Sequence, residues 1–411
     1  MAEIRPFRGY RPPPELAARV AGPPYDVLDS TEARVLAGGN PVSFLHVCKP
    51  EIDLPADLPL YDDRVYAKGR ENLRGFVRDG VLVRDAVPAF YVYRQRMGDH
   101  VQTGITAAAS VDEYADDRIR KHELTRKDKE DDRTRHVDEQ DANGEPVFLT
   151  YRARPEIDAI VARVTALAPV YDFVAADGIG HTLWVVDDKA TVRALQVAFA
   201  TVDVTYVADG HHRSASAWRV RELRRARNPH HTGEEPYNFF MAVFFPHDQL
   251  AIMDYNRIVK DLAGMSGPDF LAKVAEKFAV GPAASGRPEK PTTFGMLLDG
   301  RWYRLAAKPG TFPADDPVRS LDVSILQENL LAPILGIADP RTDRRIDFVG
   351  GIRGIGELER RCRLDAKVAF ALFPTSVEQL MAIADAGQIM PPKSTWFEPK
   401  LRSGLVVRLY E

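Results

Sequence analysis

Apolar positions recur along the chain with two periods, and their alternation sets the expected elements. Between residues 61 and 83, Tyr66, Leu73 and Phe76 fall on one face of a 3.6-residue repeat, which predicts an amphipathic helix. PEIDAIVARVTAL, KATVRALQVAFA, LDVSILQENLLAPIL and VEQLMAIADAG read the same way. A two-residue period or a short apolar run predicts strands over PVFLTYR, VYDFV, HTLWVVDD, FFMAVFF, DQLAIMDYNRIV, KVAFALF and GLVVRLY. AFYVYRQRM (89–97) and QTGITAAASV (102–111) predict a hairpin, and TTFGMLLDGRWYRLA a second one. SFLHV reads as a short buried strand, with Ser30 capping a helix over TEARVLAG before it. Strands and helices interleave throughout, so the expected class is α+β, a mixed α/β arrangement. Without an internal repeat or a long linker, residues 1–411 read as one unit. Its expected subdivision is 1–110, 111–265 with the core motif, and 266–411.

Composition narrows the function classes. Hydrophobic residues make up 45% of the 411 and charged residues 28%, an ordinary globular balance. A net charge of −4 argues against a protein dominated by nucleic-acid binding. Cys48 and Cys362 cannot build a disulfide framework and fit a reducing cytosol. The N-terminus MAEIRPFRGY lacks the apolar core of an export signal, and FFMAVFF is too short to span a bilayer. A cytoplasmic protein with a small-molecule partner and no membrane is expected. There is no GxxxxGK[ST] loop and no GxSxG elbow, and HELTR (122–126) has arginine where a zincin has its second histidine. GIGELE (354–359) reads as a helix start.

The informative stretch is YVADGHHRSASAWRVRE, residues 206–222. A strand through Val202, Val204 and Tyr206 leads through Asp209-Gly210 into a helix beginning near His211. A helix start exposes unpaired amides and partial positive charge, which suits a phosphate. Gly210 permits close backbone approach, and Arg213 offers a planar anion clamp. Asp209 either caps the helix, holds a divalent cation or meets a substrate hydroxyl. In the blander reading, His211 and His212 are polar turn residues. Adjacent histidines point apart on a helix, which disfavours a zinc-dependent hydrolase. RVRELRRAR (219–227) reads as an amphipathic helix with a solvated basic face. The charge run 112–141 reads as a solvated helix, yet it lacks the apolar stripe of a helix packed for stability.

The strand–turn–helix with DGHHR resembles the ParB/sulfiredoxin-like fold. Nearly the whole chain resembles the family called domain of unknown function 1015. The resemblance is carried by IRPFRGYRPPPE, PPYDVLD, HELTRKDKEDDR, YVADGHHR and MPPKSTWFEPKLRSGL. It implies a ParB/sulfiredoxin-like core elaborated at both ends, and a likeness to free-serine kinases. Those enzymes phosphorylate a serine hydroxyl using ATP, ADP or pyrophosphate. On that implication Gly210, His211, His212 and Arg213 bind phosphate, with Lys127 and Arg133 as further anion ligands. Asp209 is catalytic and binds Mg²⁺, and His122 or Glu123 accepts the hydroxyl proton. Tyr25, Asp26, Lys393, Ser394 and Thr395 are the substrate-binding candidates. The alternative is a ParB-like nucleotide- or nucleic-acid-binding regulator without kinase activity. Relatives often carry a histidine before the arginine in the block that reads MDYNRIV here, where this chain has Asn256.

Overall fold

The computed structural model describes residues 1–411, and the most apolar stretch of the sequence lies in the middle of its largest sheet. Every residue of the strand Phe239–Pro246 is buried. It pairs antiparallel with His100–Ser110 on one side and parallel with Val147–Tyr151 on the other. The nine-stranded mixed sheet runs Ile119–Arg120, Thr205–Asp209, Val147–Tyr151, Phe239–Pro246, His100–Ser110, Phe90–Met97, Gly180–Val186, Tyr171–Val174. Ile4–Arg5 is added on the 100–110 strand. The alternation at 89–111 does form a hairpin, in register from Tyr91 opposite Thr106 to Met97 opposite His100.

Two compact units make up the chain. The first comprises residues 1–121, 125–250 and 399–411, and contains the nine-stranded sheet. Its core joins Phe240, Phe244 and Ile105 of the sheet to Ile157, Leu195 and Phe199 of the helices Pro155–Thr165 and Lys189–Phe199. A second cluster packs Phe44, Leu45 and Val47 against Leu73 and Phe76 of the helix Asp63–Arg78, with Val407 beside them. The second unit comprises residues 122–124 and 251–398. Its sheet is antiparallel throughout, in the order Phe278–Pro282, Arg301–Ala307, Thr293–Leu298, Val368–Leu372, Tyr255–Val259, Ile346–Gly350. The 293–307 hairpin closes through Asp299 and Gly300, both at positive φ, as a two-residue connection requires. Asn256 is fully buried, and its Oδ1 accepts the Leu372 amide at 3.0 Å, so it ties two strands of this sheet together.

Several sequence expectations change. Leu45–Cys48 is one helical turn, not a strand; a short apolar run cannot distinguish the two, and Leu45, Val47 and Cys48 are buried as they would be in either. The cap of the 30–37 helix is Asp29, which forms a reciprocal box with Glu32, and Ser30 is already helical. GLVVRLY contributes only Arg408–Leu409 as regular strand, paired with Ala142–Asn143. The basic face of RVRELRRAR is solvated only in part: Arg225 and Arg227 are exposed, while Arg219 pairs with Glu130 and Asp131, and Arg224 with Asp138 and Asp141. The charge run likewise divides. In the helix Lys127–Gln140 one side is exposed, while Asp132, Arg133, Thr134 and His136 are buried.

Candidate functional site

The strand Thr205–Asp209 ends at a register shift, and the helix His211–Arg227 begins two residues later. The hinge is Gly210, at φ 97° and ψ 30°. This left-handed conformation strains any residue with a Cβ, and a Cβ here would lie 3.1 Å from Arg213 Nε. Gly210 therefore both reverses the chain and lets the guanidinium fold back beneath the helix start. Its carbonyl accepts the first helical bond, from the Ser214 amide at 2.9 Å. The amides before Ser214 have no carbonyl one turn back. No side chain caps the helix, so Asp209 is not an N-cap.

Asp209 meets charge instead. Lys400 Nζ donates to its Oδ2 at 2.9 Å, while Arg213 lies 3.9 Å from its Oδ1. Burial alone would raise the Asp209 pKa; the charges of Lys400 and Arg213 outweigh it and hold the carboxyl below the ordinary range. The same Arg213 nitrogen is 3.9 Å from Asp26 Oδ2, and its other terminal nitrogen donates to the Pro146 carbonyl. Arg213 is thus flanked by two carboxylates rather than fully open to a ligand.

Behind this corner, Glu145 accepts the Tyr25 amide at 2.9 Å and the Ser403 hydroxyl at 3.1 Å. Burial pushes the Glu145 carboxyl up, against the charges of Arg213 and Arg133. Arg133 stacks on the Tyr25 ring at 3.9 Å and pairs with Asp132 at 2.7 Å, which in turn accepts the Tyr66 hydroxyl at 3.0 Å. Arg133, His136, Glu145 and Arg213 line a cavity of about 40 Å³. That space holds a water or two but no nucleotide. The more open side of the corner is at Asp26, whose side chain is 38% exposed. His212 Nε2 accepts the Arg126 amide at 3.1 Å, and burial lowers its pKa, so the ring is neutral with its proton on Nδ1.

Of the residues singled out from sequence, the first unit brings Tyr25, Asp26, Arg133, Asp209, Gly210, His211, His212 and Arg213 into this neighbourhood. Lys127 is elsewhere: it is exposed and paired with Asp131 at 2.7 Å. His122 and Glu123 belong to the second unit, where the buried His122 accepts the Met390 amide through its carbonyl. Lys393, Ser394 and Thr395 belong there too. Ser394 is buried and donates to the Pro391 carbonyl at 2.6 Å, and Lys393 stands at φ 60° with its carbonyl accepting from Arg257. Sequence reasoning passed over Glu145 and Asp132. The signal for Asp132 was present, since a charged helix without an apolar stripe must bury something polar.

A family model described as "Protein of unknown function (DUF1015)" matches residues 4–324. No curated protein matches the chain. Among solved structures, a free serine kinase in complex with AMP is 10% identical with a TM-score of 0.36, covering 74% of this chain and 92% of its own. A conserved hypothetical protein from Pyrococcus furiosus is 12% identical with a TM-score of 0.36, over 74% and 95%. A C-terminally truncated SbnI from Staphylococcus aureus is 13% identical with a TM-score of 0.38, over 74% and 87%.

Proposed function

Because the chain belongs to the DUF1015 family, whose function is unknown, we propose from its own site that it is a small-molecule phosphotransferase. On this reading a phosphoryl group passes from a nucleotide or pyrophosphate to a hydroxyl such as that of free L-serine, the acceptor implied by the motif resemblance. The 205–227 strand, turn and helix then form the phosphate cradle of a ParB/sulfiredoxin-like core. The observation that carries the reading is Asp209, part-buried yet kept ionised by Lys400 and Arg213, at the mouth of a helix opened by a positive-φ glycine. A shifted carboxylate held by specific charges beside a helix start is a candidate functional group.

Phosphoryl transfer needs the donor held in line and its charge neutralised. Arg213, Lys400 and the first helical amides supply positive charge. Asp26 and Asp209 are the carboxylates this corner offers to a hard divalent cation; both face one Arg213 nitrogen at 3.9 Å, so a bound ion would take the place of that contact. Mg²⁺ held by these carboxylates would neutralise donor phosphate oxygens. His211 and His212 flank the same turn as polar ligands, with the neutral His212 offering its Nδ1 proton. Arg133 supports the floor of the corner by ordering Tyr25. His122 and Glu123 enter as the sequence's candidates for accepting the hydroxyl proton, and Lys393, Ser394 and Thr395 as its candidates for binding the acceptor. Purified protein incubated with L-serine, Mg²⁺ and each of ATP, ADP and pyrophosphate yields phosphoserine with at least one donor. Asp209→Ala and Arg213→Ala abolish that product while folding is kept. Nucleotide binding without transfer to any hydroxyl compound would replace this reading with the regulatory one.

A further inference from the structure

Lys400 reaches Asp209 from the terminal segment 399–411, and a row of buried amides fixes that segment in place. Gln95 and Gln102 stand directly opposite each other on the strands Phe90–Met97 and His100–Ser110, and both are fully buried. Gln95 Nε2 donates to the Lys400 carbonyl at 2.8 Å, and Gln102 Nε2 donates to Gln95 Oε1 at 3.0 Å. A backbone carbonyl only accepts, so Gln95 must turn its NH₂ toward Lys400 and its oxygen toward Gln102. The orientation of the pair is thereby determined.

Two residues further on, Arg402 Nε donates to His181 Nε2 at 3.1 Å. A guanidinium has no acceptor, so His181 carries its proton on Nδ1 and donates it to the Tyr93 oxygen, 2.7 Å away. Burial, reinforced by the charge of Arg402, takes the His181 pKa down to about 3, and the ring stays neutral. Ser403 then bonds Gly22 in both directions through the backbone. From 400 to 403 the segment is gripped by the sheet's polar interior rather than by apolar packing alone.

We infer that Gln95 is a positioning residue for Lys400: its amide, oriented by Gln102, sets where the 399–411 segment lies and hence whether the ammonium reaches Asp209. The role deepens the phosphate-corner reading and rests on it. Two glutamines with no solvent contact are costly unless both are satisfied, and here the satisfied bond is the one to Lys400.

The test labels lysines sparingly with acetic anhydride and follows each acetylated peptide by mass spectrometry, with Lys127, whose side chain is 84% exposed, as the internal standard. Gln95→Met keeps the length of the side chain and removes the donor. Relative labelling of Lys400 rises about tenfold in Gln95→Met, as it does in Asp209→Asn, and by less in Gln102→Met. A core variant, Ile160→Val, leaves it unchanged. Unaltered Lys400 labelling in Gln95→Met, or an equal rise in Ile160→Val, overturns the proposal. If Gln95→Met does not fold, Gln102→Met carries the same test, and flat labelling there overturns it. Labelling needs no substrate, so a wild-type protein inert toward every donor and acceptor would remove the kinase reading while a Lys400 response upheld the positioning role.

Discussion

Replacing Lys400 by methionine removes the direct partner of a part-buried carboxylate and leaves the stem to pack. At 2.9 Å and an effective dielectric constant of about 20, the Lys400–Asp209 attraction is about 6 kcal/mol before solvation is counted. Lys400 and Asp209 retain 17% and 27% of their side-chain exposure, and Arg213 stays 3.9 Å from the other Asp209 oxygen. Those two facts bring the expected net loss to about 2–3 kcal/mol, below the ~3–5 kcal/mol for breaking a fully buried pair. The sign with pH follows from linkage. Asp209 is depressed in the folded protein, so it contributes stability above the unfolded carboxyl pKa of about 3.9, and that contribution is lost as pH falls through the folded value. In Lys400→Met the folded pKa moves up, so the deficit is constant through neutral and mildly acidic pH and shrinks only once pH falls below the variant's own carboxyl pKa, toward the depressed wild-type value. Native-state hydrogen exchange of the 205–209 and 147–151 strands reads the stability of the first unit directly. Asp209→Asn in the Lys400→Met background returns part of the loss, because the stranded charge is gone. A Lys400→Met cost below about 0.5 kcal/mol at pH 7.5, the range of an ordinary surface change, would refute the reasoning, as would a cost that grows as the carboxyl is protonated in acid.

Two other substitutions probe separate parts of the account. Gly210→Ala places a Cβ 3.1 Å from Arg213 Nε at φ 97°, and costs about 1–3 kcal/mol while displacing the guanidinium; denaturation together with phosphate affinity measures both effects. In the second unit, burial raises the Asp322 pKa to about 7, against the bond from the Thr292 amide. A raised acid disfavours its own ionised form, so this unit loses stability as pH rises from about 4 to 7. Asp322→Asn removes that loss, giving greater stability than wild type at pH 8 and no gain at pH 4, as read by exchange of the 293–298 strand.

What was legible in the sequence was local. The 3.6-residue repeat placed Tyr66, Leu73 and Phe76 inside the 63–78 helix, and all three are buried. The Asp-Gly step between strand and helix announced the turn at Gly210, because backbone geometry there is decided by the residue itself. What could not be read was pairing over distance. Lys400 meets Asp209 across 191 positions, and no periodicity says which cation a carboxylate will find. Arg219 and Arg224 looked basic and open because acids that neutralise them, Asp131 and Asp138, lie on a different helix, Lys127–Gln140. Likewise SFLHV reads as a strand although Leu45–Cys48 is helical, because so short an apolar run carries no period.

The central claim is that the Gly210–Arg213 corner binds phosphate oxygens. Calorimetric titration of pyrophosphate with Mg²⁺ into the wild-type chain and into Arg213→Met tests it most directly. The wild type is expected to bind at one saturable site and the variant at least tenfold more weakly, the effect of removing one charge-assisted contact of about 1.5–3 kcal/mol. Absence of binding by the folded wild type, or equal affinity in the two proteins, would contradict it.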